Sequence, residues 1–189
     1  MNAAHLEVCA SEGWRQIVQE LILPDALAGV ALGDDVIEVG PGPGFTTDVL
    51  RTRTARLTAV EIDPDLARGL AERLAGTNVV VVCGDATALD LEADRFSAAA
   101  SFHMLHHVET DAAQDRVFAE LARVLRPGGV LVAADGVEDP GSRAFHADDT
   151  YNPVDPDVLE RRLGAAGFTA VTVGRHDLGW FCTAVRPAT

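Results

Sequence analysis

No lysine occurs anywhere in the 189 residues; all 15 basic positions are arginine. That absence removes Schiff-base chemistry, the phosphate-loop lysine and any Tyr-Lys dehydrogenase pair. Positive charge is scarce altogether: against 29 acidic residues the formal net charge is −14. A protein that grips nucleic acid needs clustered basic side chains to displace counterions from phosphate, so nucleic acid is not an expected partner. Cysteine is equally thin, at three (Cys9, Cys83, Cys182), which makes no even disulfide framework and fits a reducing, cytoplasmic setting. No apolar run approaches the ~20 residues of a membrane span. The first seven residues also lack the basic patch and apolar stretch of a secretory leader. No membrane partner is expected.

What remains is an ordinary globular composition, 48% hydrophobic and 23% charged, at a length that holds one domain. The expected division is a helical cap over residues 1–33 and an α/β core over 34–189. In the cap, Trp14, Ile17, Val18, Leu21 and Ile22 recur at helical spacing, predicting an amphipathic helix that ends at Leu23-Pro24 and covers one edge of the core. From Asp35 the pattern alternates short apolar runs with capped helical stretches, as in a doubly wound parallel sheet. Strands are expected at Val36–Val39, Leu57–Glu61, Val79–Val82, Ala98–Phe102 and Val130–Ala134, with Thr169–Val173 and Trp180–Val185 as a closing pair. Asp63-Pro64 and Asp155-Pro156 open helices, and Asp111 is expected to cap the helix carrying Val117, Phe118, Leu121, Val124 and Leu125. Residues 135–155, rich in Asp, Gly and Pro, read as a loop. It leaves the carboxyl end of a strand, where ligands of such sheets bind, and so is expected to wall a substrate pocket.

The chemistry concentrates at those strand ends. The first strand runs through Glu38 and Val39 into Gly40-Pro41-Gly42-Pro43-Gly44, followed by a helix opening at Phe45. Glycines at alternate positions let backbone pass close beneath a ligand where a Cβ collides, and the helix start presents free N–H groups. About twenty residues on, the second strand ends in Val60-Glu61-Ile62-Asp63, placing the Glu61 carboxylate where a ribose diol lies. The third ends in Cys83-Gly84-Asp85-Ala86, where Asp85 is placed to accept from an adenine amino group.

On these residues the chain resembles the class I S-adenosylmethionine-dependent methyltransferases, from about Val36 to Val185. Ser101-Phe102-His103-Met104-Leu105-His106-His107-Val108 resembles the segment after their fourth strand, and Leu125-Arg126-Pro127-Gly128-Gly129-Val130-Leu131 the entry to their fifth. The resemblance implies a Rossmann-like seven-stranded sheet of order 3-2-1-4-5-7-6, its last strand antiparallel and formed around Trp180–Val185. It also implies S-adenosylmethionine as cofactor, held by Glu38, Gly40, Pro41, Gly42, Gly44, Glu61, Ile62, Gly84, Asp85, Ala86, Ser101 and Phe102. One departure is Phe96-Ser97, where many relatives have Phe-Asp; it puts a structural cap in doubt.

A sulfonium methyl is already activated, so its transfer needs mainly in-line positioning and exclusion of water. Where an acceptor must lose a proton, histidine titrates in the useful range. The candidates are His103, His106, His107 and His146, with Tyr151 as a polar contact. His103, nearest the fourth strand end, and His146, on the substrate loop, are ranked first. Neighbours on a helix point about 100° apart, so His106 and His107 are not expected to share a metal, and no metal is expected. The expected function is methyl transfer to a small molecule, with a homodimer possible. Two alternatives stay open: a non-catalytic protein that binds the cofactor, and an RNA adenine methyltransferase. The latter enzymes carry Asn-x-Pro-aromatic where this chain has Ser101-Phe102-His103-Met104.

Overall fold

The structure, a computed structural model, describes residues 3–188. Its centre is a seven-stranded sheet: β1 (Asp35–Val39), β2 (Arg56–Glu61), β3 (Val79–Cys83), β4 (Phe96–Phe102), β5 (Leu125–Asp135), β6 (Thr169–His176) and β7 (Gly179–Val185). The strands lie in the order 3-2-1-4-5-7-6, with β7 antiparallel to both β5 and β6. This is the order and the antiparallel strand that the resemblance implied. The direction of winding reverses between β1 and β4, which opens a crevice at their carboxyl ends.

Every residue of β1 and β4 is buried, so these strands are covered on both faces, with Glu38, Ser97 and Ser101 as buried polar side chains among the apolar ones. Alternate side chains serve opposite layers, as the two-residue period of a strand requires. Ile37, Val39, Leu131 and Ala133 pack with Val117, Phe118 and Leu121 of α6 (Asp111–Val124) and with Leu159 and Leu163 of α8 (Leu159–Ala165). Val36, Ala98, Ala100 and Val132 pack instead with Leu50 of α4 (Phe45–Leu50) and with Val18, Ile22 and Leu23 of the N-terminal segment.

The Asp-Pro signals operate as expected. Asp63 accepts from the Asp65 and Leu66 amides at 2.8 and 3.1 Å and opens α5 (Pro64–Arg73). Asp155 caps a 3-10 turn, Pro156–Val158, that leads into α8. At α6 the cap falls one residue earlier than expected: the Thr110 hydroxyl accepts from the Ala113 amide at 3.2 Å, and Asp111 is the first helical residue. Ser97, the departure noted above, sits at a register shift between β4 and β5. Its hydroxyl accepts from the Asp35 amide at 3.1 Å and lies 2.7 Å from the carbonyls of Leu32 and Asp35, so the serine itself ties the start of β1 to β4.

Two expectations are corrected. The N-terminal helix is not one regular element but α1 (Ala3–Cys9), α2 (Glu12–Ile17), a π turn (Val18–Ile22) and α3 (Leu23–Ala26). The Leu23 amide bonds back five residues to the Val18 carbonyl, and this wider turn, just ahead of Pro24, rotates Leu21 off the apolar face. Leu21 is consequently 54% exposed, whereas Ile22 is fully buried. Residues 135–155, expected as loop, contain α7 (Pro140–Phe145), whose cap Asp139 accepts from the Gly141 and Ser142 amides. Among the described residues no helix is long and apolar enough to cross a membrane.

Candidate active site

A cavity of about 1000 Å³ occupies the crevice at the carboxyl ends of the parallel strands. The glycine turn after β1 forms one wall. Gly40 has φ +68° and donates its N–H to the Val60 carbonyl at 2.9 Å; a Cβ there would run into the side chain of Met104. Gly42 has φ +52°, and no atom lies within 4 Å of where its Cβ would stand. The turn thus presents bare backbone to the cavity, a cradle that a side chain would fill.

The carboxylate of Glu61 braces this turn. Its Oε2 accepts from the Gly42 amide and its Oε1 from the Asp63 amide, both at 3.0 Å. Each oxygen keeps a second lone pair for a ligand hydroxyl. Asp85 turns its Oδ1 to the Thr87 amide at 2.8 Å and is otherwise exposed to the cavity. Gly40, Pro41, Gly42, Glu61, Ile62, Gly84, Asp85, Ala86 and Phe102 all line the cavity. Glu38, Gly44 and Ser101 do not. Glu38 lies beneath the turn, accepting from the hydroxyls of Thr46 and of Thr47 (2.6 Å), and so pins α4 to β1. Burial pushes its carboxyl up to about 7 against those hydrogen bonds. Gly44 packs against Leu70 and Arg73, and Ser101 is enclosed within β4.

The other end of the cavity is a wall of imidazoles. His103 follows β4 with φ +51°, a left-handed conformation that a non-glycine residue adopts under constraint. Its ring meets Trp14 edge-on at 5.0 Å, and its Nε2 is buried without a hydrogen-bond partner. Burial lowers its pKa to about 4, so it stands neutral at physiological pH and is a weak base. Next to it, His106 Nδ1 lies 2.5 Å from Oδ1 of Asp135, a fully buried carboxylate at the end of β5. Burial opposes charge on both partners, yet their attraction prevails, raising His106 and lowering Asp135 relative to their ordinary values.

The divergence expected of His106 and His107 does not carry through to their rings. They belong to a single 3-10 turn, Leu105–His107, yet their rings lie 4.1 Å apart. Divergence at Cβ does not fix the ring position, because rotation about the two side-chain torsions folds both imidazoles over the turn. His146, at the end of α7, lies 5.1 Å from His106 and 4.5 Å from His5 of α1, ring centre to ring centre. Burial lowers the pKa of His5 to about 4 and of His107 to about 3. Both first-ranked candidates, His103 and His146, therefore reach the cavity. Sequence reasoning missed Asp135 and His5. Asp135 carried the same signal as Glu61 and Asp85, an acidic residue at a parallel strand's carboxyl end.

A glycine turn at the switch point of a parallel sheet, backed by an acidic residue ending the next strand, defines an α/β enzyme that binds a nucleoside-bearing cofactor. The chain belongs to the methyltransferase-domain family, which matches residues 37–133, and is a class I S-adenosylmethionine-dependent methyltransferase. It is 29% identical over 174 residues to an uncharacterized methyltransferase of Geobacillus kaustophilus, covering 83% of this chain and 79% of that protein. Similarity to the ribosomal RNA small subunit methyltransferase A of Deinococcus radiodurans is higher, 48%, but spans 65 residues, 34% of this chain and 22% of that enzyme. The fold resembles a solved protein of Pyrococcus horikoshii (TM-score 0.78, 18% identity, 95% of this chain and 93% of that one). It also resembles a phosphoethanolamine N-methyltransferase of Haemonchus contortus (TM-score 0.72, 14% identity, 89% and 52%).

Proposed function

We propose that the enzyme methylates a small molecule held between the cofactor and the histidine wall. The observation that carries this reading is the shape of the cavity. Its acceptor end is enclosed by α1, by Trp14 of α2 and by the 135–155 segment, and its volume suits a nucleoside cofactor beside a small acceptor. Among the described residues Arg116 is the one arginine lining it, and the chain carries a net charge of −14, which opposes a polyanionic acceptor.

The bare turn at Gly40 and Gly42, the spare lone pairs of Glu61 and the exposed carboxylate of Asp85 fit the cofactor's amino-acid, ribose and adenine parts in that order. S-adenosylmethionine supplies a methyl group already activated on sulfur. The chain's own task is then positioning and drying the reaction path. Gly40 and Gly42 let the backbone approach, Glu61 and Ile62 hold the sugar side, and Gly84, Asp85 and Ala86 hold the base. Trp14, Phe102 and Met104 exclude water, and His103 offers a neutral imidazole to orient the acceptor.

The test is turnover with methyl-labelled cofactor against panels of phenols, amines and carboxylic acids, run beside ribosomal RNA. Label in a small molecule supports the reading. Label in RNA alone overturns it.

A further inference from the structure

Four imidazoles drawn from three separate segments converge at the acceptor end. His5 comes from α1, His106 and His107 from the turn after β4, and His146 from the end of α7. One ring nitrogen of each lies within 4.8 Å of those of the other three. Gathering imidazoles away from water is unfavourable unless their nitrogens find partners. Here His107 Nδ1 and His146 Nε2 are buried with no hydrogen-bond partner, and His146 as a whole is only 8% exposed.

On three of the four, Nδ1 lies beside an acceptor. His146 Nδ1 lies 2.6 Å from the Ser142 carbonyl, which places its proton there and leaves a lone pair on Nε2. His106 Nδ1 lies 2.5 Å from Asp135 and His5 Nδ1 lies 3.4 Å from Asp149 Oδ2. A carbonyl or carboxylate on the far nitrogen, fixing the tautomer and aiming the other lone pair inward, is how proteins orient metal-binding histidines.

We propose that His5, His106, His107 and His146 form a binding site for one divalent transition-metal ion, zinc foremost. Four neutral nitrogen donors suit zinc and its neighbours, whereas magnesium and calcium take oxygen ligands. Zinc–nitrogen bonds of about 2.0–2.1 Å in a tetrahedron set the donors roughly 3.4 Å apart, so the widest pair must close by about 1.4 Å. Side-chain torsions supply that without moving the sheet. Three donors stand on segments leaving β4 and β5, and His5 alone belongs to the N-terminal cap. The ion therefore pins α1 across the acceptor end, and its position beside His103 puts it within the methyl-accepting compartment.

The experiment uses the full chain, stripped with chelator, exchanged into metal-free buffer, loaded with zinc or cobalt and desalted. Elemental analysis is expected to find one zinc per chain, and cobalt to give the strong visible absorption of a four-coordinate site. Zinc should raise the melting temperature while magnesium leaves it unmoved. His107→Ala combined with His146→Ala should abolish stoichiometric binding. If that variant does not fold by circular dichroism, His5→Ala, which leaves the sheet-supported segments intact, should weaken zinc at least about tenfold. A folded wild-type chain that retains no zinc, or zinc retention undiminished in folded variants, overturns the proposal. Titration of the same samples with S-adenosylmethionine reads the methyltransferase assignment separately.

Discussion

Gly40 and Gly42 share a left-handed backbone but face different surroundings, and that difference separates stability from binding. At Gly42 the space is open, so Gly42→Ala should cost only the left-handed penalty, about 1 kcal/mol, while its methyl group intrudes where the cofactor is proposed to pass. Thermal melting should fall slightly and cofactor affinity steeply. At Gly40 the methyl meets Met104 as well, and Gly40→Ala should cost about 3 kcal/mol in a denaturant titration. Glu61→Ala removes both the bond to the Gly42 amide and the proposed acceptor for the ribose; calorimetry should show affinity for S-adenosylmethionine reduced at least about tenfold. Glu38 yields a prediction of opposite sign. Its carboxyl is raised from 4.5 to about 7, so the native state holds this proton more tightly than the unfolded chain. The associated stability is full below about pH 4.5 and is lost as pH rises through about 7. Glu38→Gln should therefore gain stability over wild type between about pH 5 and about pH 8, by on the order of 3 kcal/mol, in paired urea titrations.

At the scale of elements, the π turn of the N-terminal segment makes a register prediction. Leu21→Ala should change stability by less than about 0.5 kcal/mol, because Leu21 is 54% exposed, whereas Ile22→Ala should cost about 2–5 kcal/mol. An unbroken α-helix over the same residues would bury both. Helical spacing alone could not reveal this, since a single wide turn shifts every later side chain while leaving the apolar pattern readable. The sheet was legible because short, largely apolar runs close on a glycine or an acidic residue, as at Val39-Gly40 and Glu61-Ile62. Asp139-Pro140 is the same cap signal as Asp63-Pro64 and Asp155-Pro156. It was overlooked because the surrounding Asp, Gly and Pro content reads as loop, and the helix it opens is only six residues long.

Across the whole molecule, the proposed cofactor half of the site follows from local spacing, since its residues sit at the ends of successive strands. The acceptor half does not. His5 and His146 lie 141 positions apart in sequence, yet their ring centres are 4.5 Å apart; only the closed fold, with α1 laid over the 135–155 segment, brings them together. On the proposed function, the enzyme joins a regular nucleotide-binding edge to a histidine wall assembled from distant segments, and the methyl group crosses from one to the other. The most direct measurement of this account is calorimetric titration of the folded full chain with S-adenosylmethionine, run against Gly42→Ala. One binding site per chain, lost in the folded variant, is the predicted result. A folded wild-type chain that takes up no S-adenosylmethionine, or a Gly42→Ala variant that binds it undiminished, would contradict the account.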